Sequence, residues 1–118
     1  MKVRRYLRVP LPIPVRIKVV EEDQDFRATS VEDISWGGAF VVLDPPAKLG
    51  SRVVLEFILS EENVSLELWG RVVRTRKPSE ELPAGMGVEF DSLDDDTRSL
   101  IQRLVDEELE HLIRAVSK

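Results

Sequence analysis

The sequence predicts an all-β protein, a six-stranded antiparallel β-barrel followed by one C-terminal α-helix. Three observations carry this expectation. Between residues 13 and 91, apolar and polar residues alternate in short runs, the period of two shown by strands with one buried face. Clusters rich in Gly, Pro, Asp, Asn and Ser separate those runs at the spacing of a closed antiparallel sheet. After Phe90 the apolar residues recur every three or four positions, the period of an amphipathic helix.

The first strand is expected from Pro14 to Val20, where Val15, Ile17 and Val19 alternate with Arg16 and Lys18. The polar turn Glu21 to Asp25 leads to a second strand, Phe26 to Glu32, built around Thr29 and Val31. A turn, Asp33-Ile34-Ser35-Trp36-Gly37-Gly38, precedes a third strand from Ala39 to Leu43 that is apolar on both faces. Asp44-Pro45-Pro46 ends it, because proline cannot donate to a ladder. Arg52 to Leu59 places Val53, Leu55, Phe57 and Leu59 on one face, and Val64 to Val72 does the same with Val64, Leu66, Leu68 and Val72. The segment Ser60-Glu61-Glu62-Asn63 between them marks a hairpin. A sixth strand, Gly85 to Phe90, follows the loop Lys77 to Ala84.

Leu100, Ile101, Leu104, Val105, Leu109, Leu112, Ile113 and Val116 form the helical stripe, and Asp94, Asp95 and Asp96 suit the positive end of the helix dipole. The expected organisation is a single domain: a flexible basic arm over residues 1–12, a barrel over 13–91 and a helix over 94–116. Trp69, Val54 and Ile58 fall on the outer phase of their strands, and the helix is expected to cover all three.

Composition narrows the function. At 118 residues, 42% hydrophobic and 33% charged, the chain has room for one ordinary globular core. With no cysteine there is no disulfide, no thiolate metal site and no cysteine nucleophile, which suits a reducing cytoplasm. Pro10, Pro12 and Pro14 break the apolar stretch behind the charged start, so neither a secretory leader nor membrane insertion is expected.

The net charge of −5 is unevenly spread. Lys2, Arg4, Arg5, Arg8, Arg16 and Lys18 fall within the first 18 residues with no acid among them, leaving 11 basic against 22 acidic residues elsewhere. Such an acidic body argues against DNA or RNA as partner, since non-specific nucleic-acid affinity needs a broad positive face. A small anion met by a local basic arm fits better.

No enzyme, metal or cofactor site is expected. The one histidine, His111, lies on the helix, and Asp94 to Asp96 are accounted for by the helix N-terminus. Glu61 and Glu62 sit in a hairpin turn, and Gly85-Met86-Gly87-Val88-Glu89 lacks the third glycine and following helix of a dinucleotide fingerprint. An arginine cluster and a turn remain. Arg4 and Arg8 flank Arg5, and a guanidinium fork grips phosphate or the O6/N7 edge of guanine with paired hydrogen bonds. The turn supplies the Asp33 carboxylate, the Ser35 hydroxyl and two glycines, Gly37 and Gly38, whose missing Cβ lets backbone amides approach a ligand. Alone, this turn reads as a strand connection with side-chain capping; beside the arginines it reads as a binding element.

Arg4-x-x-x-Arg8 followed by Asp33-x-Ser35-x-x-Gly38 resembles the paired RxxxR and [D/N]xSxxG signatures of the PilZ family. Val88-Glu89-Phe90 after a glycine is similar to that family's closing strand, and the likeness runs from about Val3 into the helix. The resemblance implies a barrel binding cyclic di-GMP between the arm and the barrel surface. Arg4 and Arg8 would contact guanine edges and phosphates with Arg5 as an auxiliary cation. Asp33 and Ser35 would read the other guanine, and Gly38 would permit close approach. Tyr6 and Trp36 are candidates for base stacking or for packing at the core edge. Arg74 and Arg76 continue the inward phase of Val72, as residues of the barrel mouth or of an exposed strand end. The implied output is a conformational change presented to an unidentified effector protein. The alternative is a PilZ-like interaction module that does not bind the nucleotide, with the helix as docking face for a partner or for a second copy in a homodimer.

Overall fold

Residues 13–35, 37–59 and 64–116 are described by a computed structural model, with backbone alone at 59, 64, 108–109 and 111–116. Six strands form one closed antiparallel barrel: β1 (Ile13–Val19), β2 (Arg27–Ile34), β3 (Gly38–Val42), β4 (Arg52–Leu59), β5 (Val64–Arg76) and β6 (Gly85–Phe90). The order around the barrel is β1-β2-β3-β6-β5-β4, and β4 pairs back onto β1 with Val19 opposite Val53. Closure removes the exposed edges that an open sheet would offer to other chains.

The expected alternation holds along the strands. Ile13, Val15, Ile17 and Val19 of β1 point inward with Val53, Leu55 and Phe57 of β4 and Leu66, Leu68 and Val72 of β5. Val31 and Ile34 of β2, Ala39 and Val41 of β3, and Met86, Val88 and Phe90 of β6 complete a filled interior. A fully buried aliphatic or aromatic side chain contributes about 1.5–3 kcal/mol, so this interior supplies the driving force for the barrel.

Two strands run further than their patterns imply. β2 continues through Asp33 to Ile34, so Asp33 belongs to a strand and not to the turn after it. β5 continues to Arg76, past the expected end at Val72. Each extension follows from a bulge, between Val31 and Asp33 in β2 and between Val72 and Arg74 in β5. An extra residue shifts the side-chain phase by one, turning later positions to the opposite face.

The helix α1 (Asp95–Val116) follows β6 directly, at the barrel end where β1 starts and β2 stops. Asp94 is its N-cap: the carboxylate accepts the Thr97 N–H at 2.7 Å and the carbonyl accepts that of Arg98 at 3.0 Å. Ile101, Leu104 and Val105 are buried and join the barrel core, with Leu93 and Leu100 packed against it. The helix therefore spends its apolar face on the core. Of the three outer-phase residues expected to be covered, Val54 is buried, while Trp69 remains 43% and Ile58 59% exposed. Trp69 carries Arg52 over its ring at 5.9 Å, and Ile58 borders a hollow of about 320 Å³ shared with Leu104 and Glu107. The side chain of His111 lies outside the described residues.

At the opposite end, the Glu21 carboxylate accepts the Arg52 N–H at 3.0 Å. That backbone hydrogen bond lowers the Glu21 pKa, and the hydroxyl and N–H of Thr97 lower that of Asp94. Both groups favour the fold when ionised. Their contribution is complete above the ordinary carboxylate values and is lost as pH falls through the lowered folded ones. The melting temperature is expected to fall from about pH 4.5 downward. Asp94→Asn, which keeps the cap without the titration, should flatten part of that acid limb in thermal scans followed by circular dichroism. Separately, Leu104→Ala is expected to lower stability in urea titrations by about 2–5 kcal/mol, the cost of a large-to-small core change.

Candidate functional site on the outer wall

With the interior filled by apolar side chains, polar groups are displayed on the outer surface, and the two bulges decide which of them appear there. In β2 the extra residue is Glu32; after it Asp33 pairs with Phe40 on the outer phase, while Ile34 returns to the core opposite Ala39. In β5 the extra residue is Val73; Arg74 then pairs with Gly87 and Arg76 with Gly85, positions that share the phase of exposed Glu89. Arg74 and Arg76 therefore lie on the outer wall. The expectation that they continue the inward phase of Val72 is overturned by that one added residue.

The registers join these residues into a row across four strands: Asp33 of β2, Phe40 of β3, Gly87 of β6 and Arg74 of β5. A carboxylate and a guanidinium thus flank an aromatic ring and a bare backbone over three strand spacings, about 14 Å. The two glycines of β6 explain how large groups lie flat here. A Cβ on Gly85 would sit 2.5 Å from the Phe40 ring, and one on Gly87 would sit 2.8 Å from the Arg74 side chain. Phe40 is 6% exposed although it points outward, because both arginines roof it: Arg76 lies 4.3 Å and Arg74 5.7 Å from its ring centre. Such stacking of a guanidinium on a ring is favourable by about 0.5–2 kcal/mol.

The arginines differ in their remaining contacts. Arg76 donates from Nε to the Pro83 carbonyl at 3.0 Å and from its two terminal nitrogens to the two oxygens of Glu32, at 3.2 and 2.5 Å. The Glu32 hydrogen bonds raise its already high pKa. Arg74 makes no ion pair among the described residues. It overlooks a shallow hollow of about 160 Å³ that has Gly37, Gly38 and Gly87 in its floor and Val73 and Glu89 at its sides.

The turn between β2 and β3 borders the same hollow. Ser35 is buried, its N–H donating to the Gly38 carbonyl at 2.9 Å and its hydroxyl facing that oxygen at 3.5 Å. The Gly37 carbonyl accepts the Phe90 N–H at 2.9 Å. The bonds from Ser35 close the turn, and that of Gly37 ties it to β6. A Cβ on Gly38 would lie 2.1 Å from the Val88 carbonyl oxygen, so this glycine permits close approach of β6, whatever else it permits. Arg4, Arg5, Tyr6, Arg8 and Trp36 lie outside the described residues. The point from which the arm departs is described: Ile13 pairs with Val31, two residues before Asp33.

Sequence reasoning missed Phe40, Glu32 and Gly87 as parts of this surface. An aromatic residue on the outer phase of β3 and glycines two apart in β6 were the available signals. Among the described residues no cluster of side chains could hold a metal ion, and no helix is long and apolar enough to cross a membrane.

Residues 2–107 match the model of the PilZ domain. The chain belongs to the PilZ family. Among solved structures, this PilZ domain is similar to that of CeSA from a cellulose-synthesizing bacterium, with 28% identity, a TM-score of 0.62, and coverage of 89% of this chain and 99% of that one. It is also similar to the PilZ domain of YcgR from Escherichia coli, solved with cyclic di-GMP, at 14% identity, a TM-score of 0.78 and 99% coverage of both chains. The Bacillus subtilis inhibitor of motility MotI/DgrA aligns at 20% identity with a TM-score of 0.72 over 94% of this chain and 53% of that one. The PilZ domain described here therefore spans about half of that protein's length. A comparison with curated proteins gives no match.

The contacts of the glycines separate two substitutions. Gly38→Ala forces a methyl against backbone and should destabilise the barrel by about 2 kcal/mol or more. Gly87→Ala meets first the Arg74 side chain, at Cγ and Nε, and not backbone, so it should lower the melting temperature less than Gly38→Ala, as measured by calorimetry.

Proposed function

We propose that this PilZ domain is a receptor for cyclic di-GMP, binding the nucleotide on the outer wall between the arginine arm and the row that begins at Asp33. The observation that carries the reading is the bulge at Glu32, which turns Asp33 outward on the strand beside the one from which the arm departs. The family membership and the YcgR domain solved with the nucleotide support the choice of ligand.

The chemistry matches in kind. Cyclic di-GMP offers two guanines, with N–H donors on one edge and O6/N7 acceptors on another, and two phosphates. Asp33 accepts from guanine N1–H and N2–H, while Arg4 and Arg8 donate to the O6/N7 edges and phosphates, with Arg5 adding charge. Arg8 stands five residues before Ile13, and a chain of that length reaches about 17 Å when extended, enough to arrive above Asp33. Ser35 and Gly38 serve by fixing the turn, Gly37 and Gly38 by leaving the hollow bare, and Arg74 by offering a guanidinium to a phosphate. Trp36 and Tyr6 are candidates to stack on a base.

In this reading the protein is a cytoplasmic receptor and not an enzyme. Ordering of the arm changes the surface shown to an effector protein, since a ligand acts only through the difference in its affinity for two states. Isothermal titration of the purified chain with cyclic di-GMP tests the proposal. Saturable binding is expected, and Asp33→Ala or Arg8→Ala should each weaken it at least tenfold, as loss of a hydrogen bond to a charged group implies. Arg74→Ala should weaken it less. Absence of heat from a folded wild-type sample would instead favour the interaction module that ignores the nucleotide.

A further inference from the structure

We infer that the ion pair between Glu32 and Arg76 is a positioning device for the nucleotide site: it pins the extra residue of β2 and thereby keeps Asp33 on the outer wall. The inference rests on the receptor reading above and adds two residues to it, neither of which touches the ligand.

A bulge leaves its extra residue outside the regular ladder, so its geometry has to be fixed by something other than strand pairing. Glu32 is that residue. Its two carboxylate oxygens receive the two terminal nitrogens of Arg76 in a parallel fork, the arrangement with the strictest geometry available to an ion pair. The pair joins β2 to β5, which are separated in the barrel by β3 and β6, and so reaches over both. Its side chains are 26% and 30% exposed, more sheltered than Arg52 and Asp91 at 35% and 43%.

The fork is itself held. The Phe40 ring lies beneath the Arg76 guanidinium at 4.3 Å, and the Pro83 carbonyl takes its third nitrogen at 3.0 Å. Phe40 is also the residue directly opposite Asp33. Arg76, Glu32, Phe40 and Asp33 therefore form one contiguous assembly, with Asp33 next in sequence to the residue that is clamped. Were Glu32 released and the bulge lost, the regular alternation from Val31 would carry Asp33 to the core side and Ile34 to solvent. With its nitrogens engaged by Glu32 and Pro83, Arg76 is a support and not a ligand contact; Arg74 on the same ring is the guanidinium left for the ligand.

A double-mutant cycle read by isothermal titration with cyclic di-GMP tests this. Glu32→Ala and Arg76→Ala should each lower affinity about tenfold, and the double variant should be no weaker than either alone, as for two residues acting as one unit. Exchanging the pair, Glu32→Arg with Arg76→Glu, should recover part of the loss. Amide hydrogen exchange at Asp33 and Ile34 should quicken in both single variants without any nucleotide present, while the melting temperature stays within a few degrees of wild type. If the alanine variants do not fold, Glu32→Gln and Arg76→Lys carry the same comparison, since each retains the packing and weakens the fork. Wild-type affinity in both single variants overturns the inference and leaves the receptor reading standing. Loss in Arg76→Ala alone, with Glu32→Ala binding normally, makes Arg76 a direct contact and also overturns it. A folded wild type that does not bind removes the receptor reading, and the inference falls with it.

Discussion

With β4 hydrogen-bonded back to β1, every position in the six strands faces either a filled interior or the outside, and strict alternation would decide which. Three charged residues of the outer wall lie where alternation would point them inward: Asp33 two residues after buried Val31, and Arg74 and Arg76 two and four after buried Val72. Burying an unpaired carboxylate or guanidinium costs several kcal/mol. One added residue in β2 and one in β5 resolve the conflict by reversing the phase just before each charged position. The charge displayed on the outer wall is thus a consequence of two local departures from regular pairing.

The wall is also shaped by what β6 lacks. Glycine in a strand interior is ordinarily unfavourable, yet Gly85 and Gly87 stand on the outer phase, where a side chain would normally project. Their bareness lets Phe40 and Arg74 lie against the sheet, and the two arginines then cover a ring that would otherwise be exposed apolar surface. Cation–π stacking, the glycine floor and the Glu32 fork reinforce one another, so an aromatic residue on the outside of a barrel is as sheltered as one in its core.

Much of this was legible in the sequence. The six strands and the helix follow from period-two and period-three-to-four patterning, and β4 and β6 occupy the expected spans. The Arg4, Arg8, Asp33, Ser35 and Gly38 signatures indicated the family that the match over residues 2–107 shows. The bulges were not legible, because a single inserted residue leaves a pattern that reads equally well as the end of a strand. For that reason the pattern ends β2 at Glu32 and β5 at Val72, and leaves Arg74 and Arg76 between the barrel mouth and an exposed strand end. The helical period predicts an amphipathic helix but does not say which surface receives its apolar face, which packs on the barrel core and leaves Trp69 exposed. Ser35 illustrates a further limit: the sequence shows a hydroxyl in a glycine-rich turn but not that the residue is buried and bonded to Gly38.

The 2.1 Å contact that a methyl at Gly38 would make with the Val88 carbonyl bears on how such signatures diagnose function. The last letter of the turn motif answers to architecture, since any barrel with this β3–β6 spacing needs it whether or not a nucleotide is ever bound. A relative that had abandoned its ligand would still be obliged to retain that glycine, while being free to let the carboxylate and the terminal guanidiniums drift. Judged as a fingerprint of signalling competence, the motif is therefore unequal along its length: its acidic head is informative and its glycine tail is largely a mark of shared construction.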